Sequence, residues 1–149
     1  MDRHLYLRAY MAAIVVPTLW LLLVLAGFCF ARFVYHLPLP IERFIPFPMA
    51  LVPNVFGLWN MLYVKLQPHW HHPLGLHGMA LPLFLGPAGF AIAAATGVAR
   101  ISQGNLIYFD LVRVPYWYLP FGPFVALAVY YLVWKYLVGY CNRVLGLPS

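Results

Sequence analysis

Four of the chain's six histidines fall within twelve residues, Gln67 to Gly78, which read QPHWHHPLGLHG. Neutral imidazole is a good ligand for zinc and copper and holds haem iron. His69, His71, His72 and His77 therefore form the first candidate metal site. Pro68 and Pro73 push Gln67 and His72 toward extended backbone. In β-like backbone His69 and His71 point the same way, whereas in polyproline II His69 and His72 do. His77 falls in the first turn of the next predicted helix, where the helix dipole favours the neutral ring that a metal needs. No Cys, Asp or Glu lies nearby to complete the ligand set.

Three readings of this stretch follow. It binds a single metal ion, or it holds a tetrapyrrole between His77 and His4, or it is an interfacial loop. In the last case Trp70 sits at headgroup level and the histidines only hydrogen-bond. A haem buried within the helices is disfavoured because no histidine lies at mid-span. A di-iron oxygenase is disfavoured because it needs several histidine boxes and the chain has one, spaced H-x-H-H.

The elements that must position this stretch are apolar. The 149 residues are 64% hydrophobic and 8% charged, against about 25% charged in a soluble domain. Ala9 to Ala31, Phe44 to Val64, Leu66 to Ala99 and Val114 to Trp134 contain no Asp, Glu, Lys or Arg. Each run reaches the roughly 20 residues that cross a bilayer as a helix. The expected fold is an all-α integral membrane domain over residues 1–149. Four transmembrane helices, about 9–33, 45–66, 76–98 and 114–138, form a compact bundle. Pro17, Pro46, Pro48, Pro53, Pro82 and Pro87 kink it. Thr18 can satisfy a carbonyl freed by Pro17. The loop ARISQGNLIYFDLVR reads as an interfacial hairpin or short helix, turning at Gly104-Asn105.

Four spans place both termini on one side, called side A. Arg3, Arg8, Lys65, Lys135 and Arg143 fall there, against Arg32, Arg43, Arg100 and Arg113 on side B. This small excess makes side A the cytoplasmic one. The net charge of +6 is spread over the span ends and forms no basic stripe, so nucleic acid is not an expected partner.

Two further sets of residues could do something in a bilayer. Gly86, Gly89, Ala93 and Gly97 form a small-residue stripe that lets another helix approach closely, and Gly122 and Ala126 offer a shorter one. Asn54 and Asn60 are polar at membrane depth and about 120° apart on a regular helix, which fits interhelical hydrogen bonds better than a shared site. The predicted spans contain no Asp, Glu, Lys or Arg in their cores, which disfavours an ion-coupled transporter. Cys29 and Cys141 lie near opposite membrane faces, and no C-x-x-C exists, which disfavours a thiol-disulfide oxidoreductase.

The leading expectation is a non-catalytic membrane subunit that packs with other membrane proteins, or with itself, to stabilise a larger complex. The second is a metal- or tetrapyrrole-binding membrane protein that uses the histidine cluster. The third is a protein or enzyme that handles a lipid or another hydrophobic small molecule beside Asn54 and Asn60.

Overall fold

The structure, a computed structural model, describes residues 4–38, 46–69, 71–110 and 112–149. Trp70, Arg3, Arg43 and the side chains of Pro46 and Pro48 lie outside the described residues. The elements are α1 (Leu5–Val34), α2 (Pro46–Leu66), α3 (Leu74–Met79), α4 (Pro82–Ala95), β1 (Ala99–Ser102), β2 (Asn105–Tyr108) and β3 (Val112–Pro115). A 3-10 turn (Tyr116–Tyr118) leads into α5 (Phe121–Leu132), a π segment (Val133–Val138) and α6 (Gly139–Val144). The protein is mostly helical. Among the described residues three helical stretches, Leu5–Val34, Leu74–Ala95 and Tyr116–Val144, are long and apolar enough to cross a membrane.

α1 continues through Pro17. The Thr18 hydroxyl donates to the Ile14 carbonyl at 2.7 Å, the acceptor one residue beyond the carbonyl that Pro17 leaves free. Ala9, Ala12, Ala13, Pro17 and Leu21 are the buried residues of this helix. They recur every three or four positions and so form one stripe. α2 packs along α1, and at Gly57 a Cβ would stand 2.4 Å from the Tyr10 ring. Small residues therefore line the approach of α1 and α2, where Ala9 and Ala13 are buried and Gly57 meets Tyr10.

The third and fourth apolar runs are not single helices over 76–98 and 114–138. Pro82 lacks the N–H that a continuous helix would use. The chain passes from α3 to α4 through tightened bonds, from Leu81 N–H to the Gly78 carbonyl (3.1 Å) and from Leu83 N–H to the Ala80 carbonyl (3.2 Å). The fourth run starts as strand β3, and its helical part extends to Val144.

The fold also holds a small antiparallel sheet in the order β1-β2-β3, where an all-α domain was expected. Gln103 and Gly104 both have positive φ, 47° and 74°, and link the paired Ser102 and Asn105. That is the two-residue turn whose twist suits a hairpin. Alternating β-branched and aromatic side chains do the rest.

The core gathers Ala9, Ala12, Ala13, Phe56, Tyr63, Val64, Leu74, Leu81, Trp134, Val138 and Leu147. Its tightest contact is between Gly78 and Trp134. A Cβ on Gly78 would stand 1.9 Å from the indole, and Trp134 is fully buried. Gly75, one turn earlier, meets Tyr131 in the same way, at 2.8 Å. The last helical stretch is thus seated on two glycines of α3.

Gly78→Ala is expected to destabilise the protein by about 1–3 kcal/mol through overpacking. Gly86→Ala is expected to be neutral or stabilising by up to about 1 kcal/mol, because nothing lies within 4 Å of the added atom. Denaturant titration in mild detergent checks both; equal effects would refute the packing described.

Candidate functional site

His77 is half-buried at the end of α3 and locked to α2 by a reciprocal pair of bonds. The Trp59 indole N–H donates to the His77 carbonyl at 2.9 Å. The His77 Nε2 lies 3.0 Å from the Trp59 carbonyl, which requires the proton on Nε2, since a carbonyl can only accept. The two rings stack with centroids 5.1 Å apart. Tyr63 at 5.3 Å and Trp134 at 6.2 Å complete an aromatic box. His77 therefore pins α3 to α2 through its backbone carbonyl and its Nε2–H, and the ring's lone pair is on Nδ1.

The other histidines are dispersed. His69, His71 and His72 are exposed on the loop, and His4 is exposed at the start of α1. His72 and His77 line a 310 Å³ pocket with Tyr63, Leu66, Gln67, Leu76 and Ala80; His69 and His71 do not line it. Among the described residues no three His, Cys, Asp or Glu side chains gather as a metal-holding group. The structure thus does not bring His69, His71, His72 and His77 together.

The two asparagines of α2 also part company. Asn54 accepts a bond from the Tyr10 hydroxyl and donates to the Ala50 carbonyl, which ties α2 to α1 on an exposed face. Asn60 is fully buried. Its Nδ2 donates to the Ala9 carbonyl (2.7 Å) and to Asn142 Oδ1 (2.8 Å). The Asn142 Nδ2 returns a bond to Asn60 Oδ1 (3.2 Å) and donates to the Pro148 carbonyl (3.0 Å). The tail reaches Asn142 because Gly146, with φ +67°, reverses the chain after α6. The Leu147 N–H then bonds the Asn142 carbonyl and the Gly146 N–H bonds the Arg143 carbonyl, the pattern that a glycine in this conformation closes at a helix end. Beside it Arg8 Nη1 donates to the Leu145 carbonyl at 3.2 Å. Four segments meet at one amide pair. The sequence signal for it was a second asparagine at the far end of the last apolar run, which loop-and-tail reading passes over.

A larger cavity lies elsewhere. It measures about 720 Å³ and wedges between α4 and α5. Leu83, Gly86, Pro87 and Phe90 line one wall, and Gly122, Pro123, Ala126 and Leu127 the other. Leu106 and Tyr108 of β2 line it as well, and so do Val52, Leu85 and Tyr130. Among the described residues no charged side chain lines it. Gly86 and Gly122 both face open space, with nothing within 4 Å of an added Cβ. Residues expected to draw two helices together thus border a space that this chain leaves empty. Gly89 and Ala93 are half-buried farther along α4, and Gly97, with φ +71°, ends that helix. Asn54 and Asn60 do not line the cleft. An aromatic row connects it to the histidine: Tyr130 to Phe56 (5.6 Å), Phe56 to Trp134 (5.4 Å), and Trp134 to His77.

Chemically the cleft can hold an apolar molecule, and its volume lies within the range of about 300–1,000 Å³ common to small-molecule sites. Only the Tyr108 and Tyr130 side chains bring hydroxyls to its lining.

His77→Ala is expected to destabilise the protein by about 1–3 kcal/mol, from lost ring packing and the lost bond to the Trp59 carbonyl. His71→Ala, on the exposed loop, is expected to change stability by less than about 0.5 kcal/mol. Equal losses in a denaturant titration would remove His77 from its structural role. No protein-family model, no curated protein and no solved structure matches the chain.

Proposed function

We propose that the protein is a multi-pass integral membrane protein that binds an apolar small molecule or lipid chain in the cleft between α4 and α5, as a binding rather than a catalytic protein. The observation that carries this reading is the cleft of about 720 Å³ with its charge-free lining, kept open by Gly86 and Gly122. Its β2 residues, Leu106 and Tyr108, favour a chain that ends there over a helix that runs through. α2, at 21 residues, has the length to add a fourth crossing, and its Asn54 and Asn60 carry partners. The contact of Arg8 with Leu145 supports both termini lying on one side, read as cytoplasmic from the excess of basic residues there.

A second reading, a subunit of a larger membrane complex, is favoured by a different observation. A 390 Å³ apolar groove runs between α1 and the last helical stretch, lined by Val15, Leu19, Trp20, Leu23, Leu137 and Tyr140 among others. Another membrane helix would fill such a groove by van der Waals packing.

Native mass spectrometry of protein purified in mild detergent tests the first reading. The protein is expected to retain an apolar molecule, and Gly122→Phe is expected to reduce retention several-fold with little loss of stability. Retention unchanged by Gly122→Phe and by Gly86→Leu would defeat it. A stable partner lost on Trp20→Ala, with no ligand retained, would favour the second reading.

A further inference from the structure

A second cavity, of 440 Å³, lies on another side of the last helical stretch and is chemically unlike the cleft. Pro73, Leu74, Gly75, Tyr131, Lys135, Tyr136, Arg143 and Ser149 line it. We propose that this cavity binds a phosphoryl group, that of an anionic lipid headgroup at the membrane surface.

The first support is the charge. Lys135 and Arg143 both line the cavity, and among the described residues no carboxylate side chain does. Asp110, the acidic side chain among the described residues, sits on the sheet 3.8 Å from Arg100. Even a main-chain carboxylate at Ser149 would leave the cavity net positive. The second support is helical geometry. Residues eight apart on an α-helix are rotated by about 800°, which leaves them about 80° out of line. Between Lys135 and Arg143 the chain runs through the π segment, Val133–Val138. Its bonds reach five residues back, so each residue turns the chain less. The reduced rotation brings the two cations onto one face. The third support is positioning. The Lys135 ammonium lies 5.5 Å from the Tyr131 ring centroid and 5.3 Å from that of Tyr136, within cation–π range. Tyr131 and Tyr136 both line the cavity beside this ammonium. Gly75 offers no side chain to fill the space, and Tyr131 already packs against its Cα. The fourth is depth. Lys135 and Arg143 lie in the last turns of the apolar stretch Tyr116–Val144, where lysine and arginine reach for phosphate at the interface.

Binding to the purified protein of phosphatidic acid, of diacylglycerol and of inorganic phosphate, each followed by native mass spectrometry in mild detergent, tests this. Phosphatidic acid is expected to bind more tightly than diacylglycerol. Lys135→Gln and Arg143→Gln are each expected to weaken it roughly fivefold. Arg143→Lys and the control Lys65→Gln are expected to leave it unchanged. Inorganic phosphate held with the same dependence on Lys135 and Arg143, without a preference for phosphatidic acid, would uphold the site and assign a soluble phosphoryl source. Equal binding of phosphatidic acid and diacylglycerol with no phosphate binding would overturn the proposal, as would phosphatidic acid binding indifferent to both glutamine variants. Because Gly122→Phe and Gly86→Leu alter the cleft and leave this cavity alone, failure at one site is separable from failure at the other.

Discussion

A primary amide buried away from water must find its partners within the protein, and an unpaired one costs about 1–3 kcal/mol. Asn60 and Asn142 meet that constraint with each other, fully buried and 82 residues apart in sequence. Each amide also holds a backbone carbonyl, Ala9 for one and Pro148 for the other. The pair thus fixes where α1, α2, α6 and the tail meet. Apolar side chains alone would specify this meeting poorly, since apolar burial is non-directional. Directional bonds and close shape must do that work. Here they do it side by side, with the amide pair adjoining a seam of alanines on α1 and glycines on α2 and α3.

The aromatic residues make the second half of the framework. Trp134 rests on Gly78, touches Phe56 and meets the edge of His77, while His77 is bonded and stacked to Trp59. This places α3 firmly between α2 and the last helical stretch. The break before Pro82 then lets α4 diverge, and the space between α4 and α5 is the cleft. A firm seat at α3 and an open wedge above it have one cause: glycines face an indole and a phenol ring in the first case and nothing in the second.

Much of this was legible in the sequence, and the rest was hidden for physical reasons. Long charge-free runs announced apolar helices because few other structures can cross hydrocarbon. They could not show that the run after Arg113 opens as a strand, because Val114 and Pro115 also suit a helix start and only pairing with β2 decides it. The interhelical bonding of Asn54 and Asn60 followed from their angular separation. The partner Asn142 did not, since contacts across 82 residues leave no local pattern. The small-residue motif of α4 was visible, but a motif does not say whether a neighbour fills its groove. Gly75 and Gly78 carry the same physics within the histidine-rich stretch, where imidazole chemistry drew attention instead. The histidines themselves read as ligands by type; their placement makes His77 a hinge pin and leaves His69 and His71 on the surface.

The buried amide pair as the organising contact is tested most directly by a double-mutant cycle on Asn60 and Asn142. Unfolding is followed in mild detergent for Asn60→Ala, Asn142→Ala and the double variant. Each single variant is expected to lose about 1–3 kcal/mol, because it strands the other amide. The double variant is expected to lose little more than either alone, with a coupling of at least about 0.6 kcal/mol. Losses that simply add would show that the two amides act independently and that the helices are held together by something else.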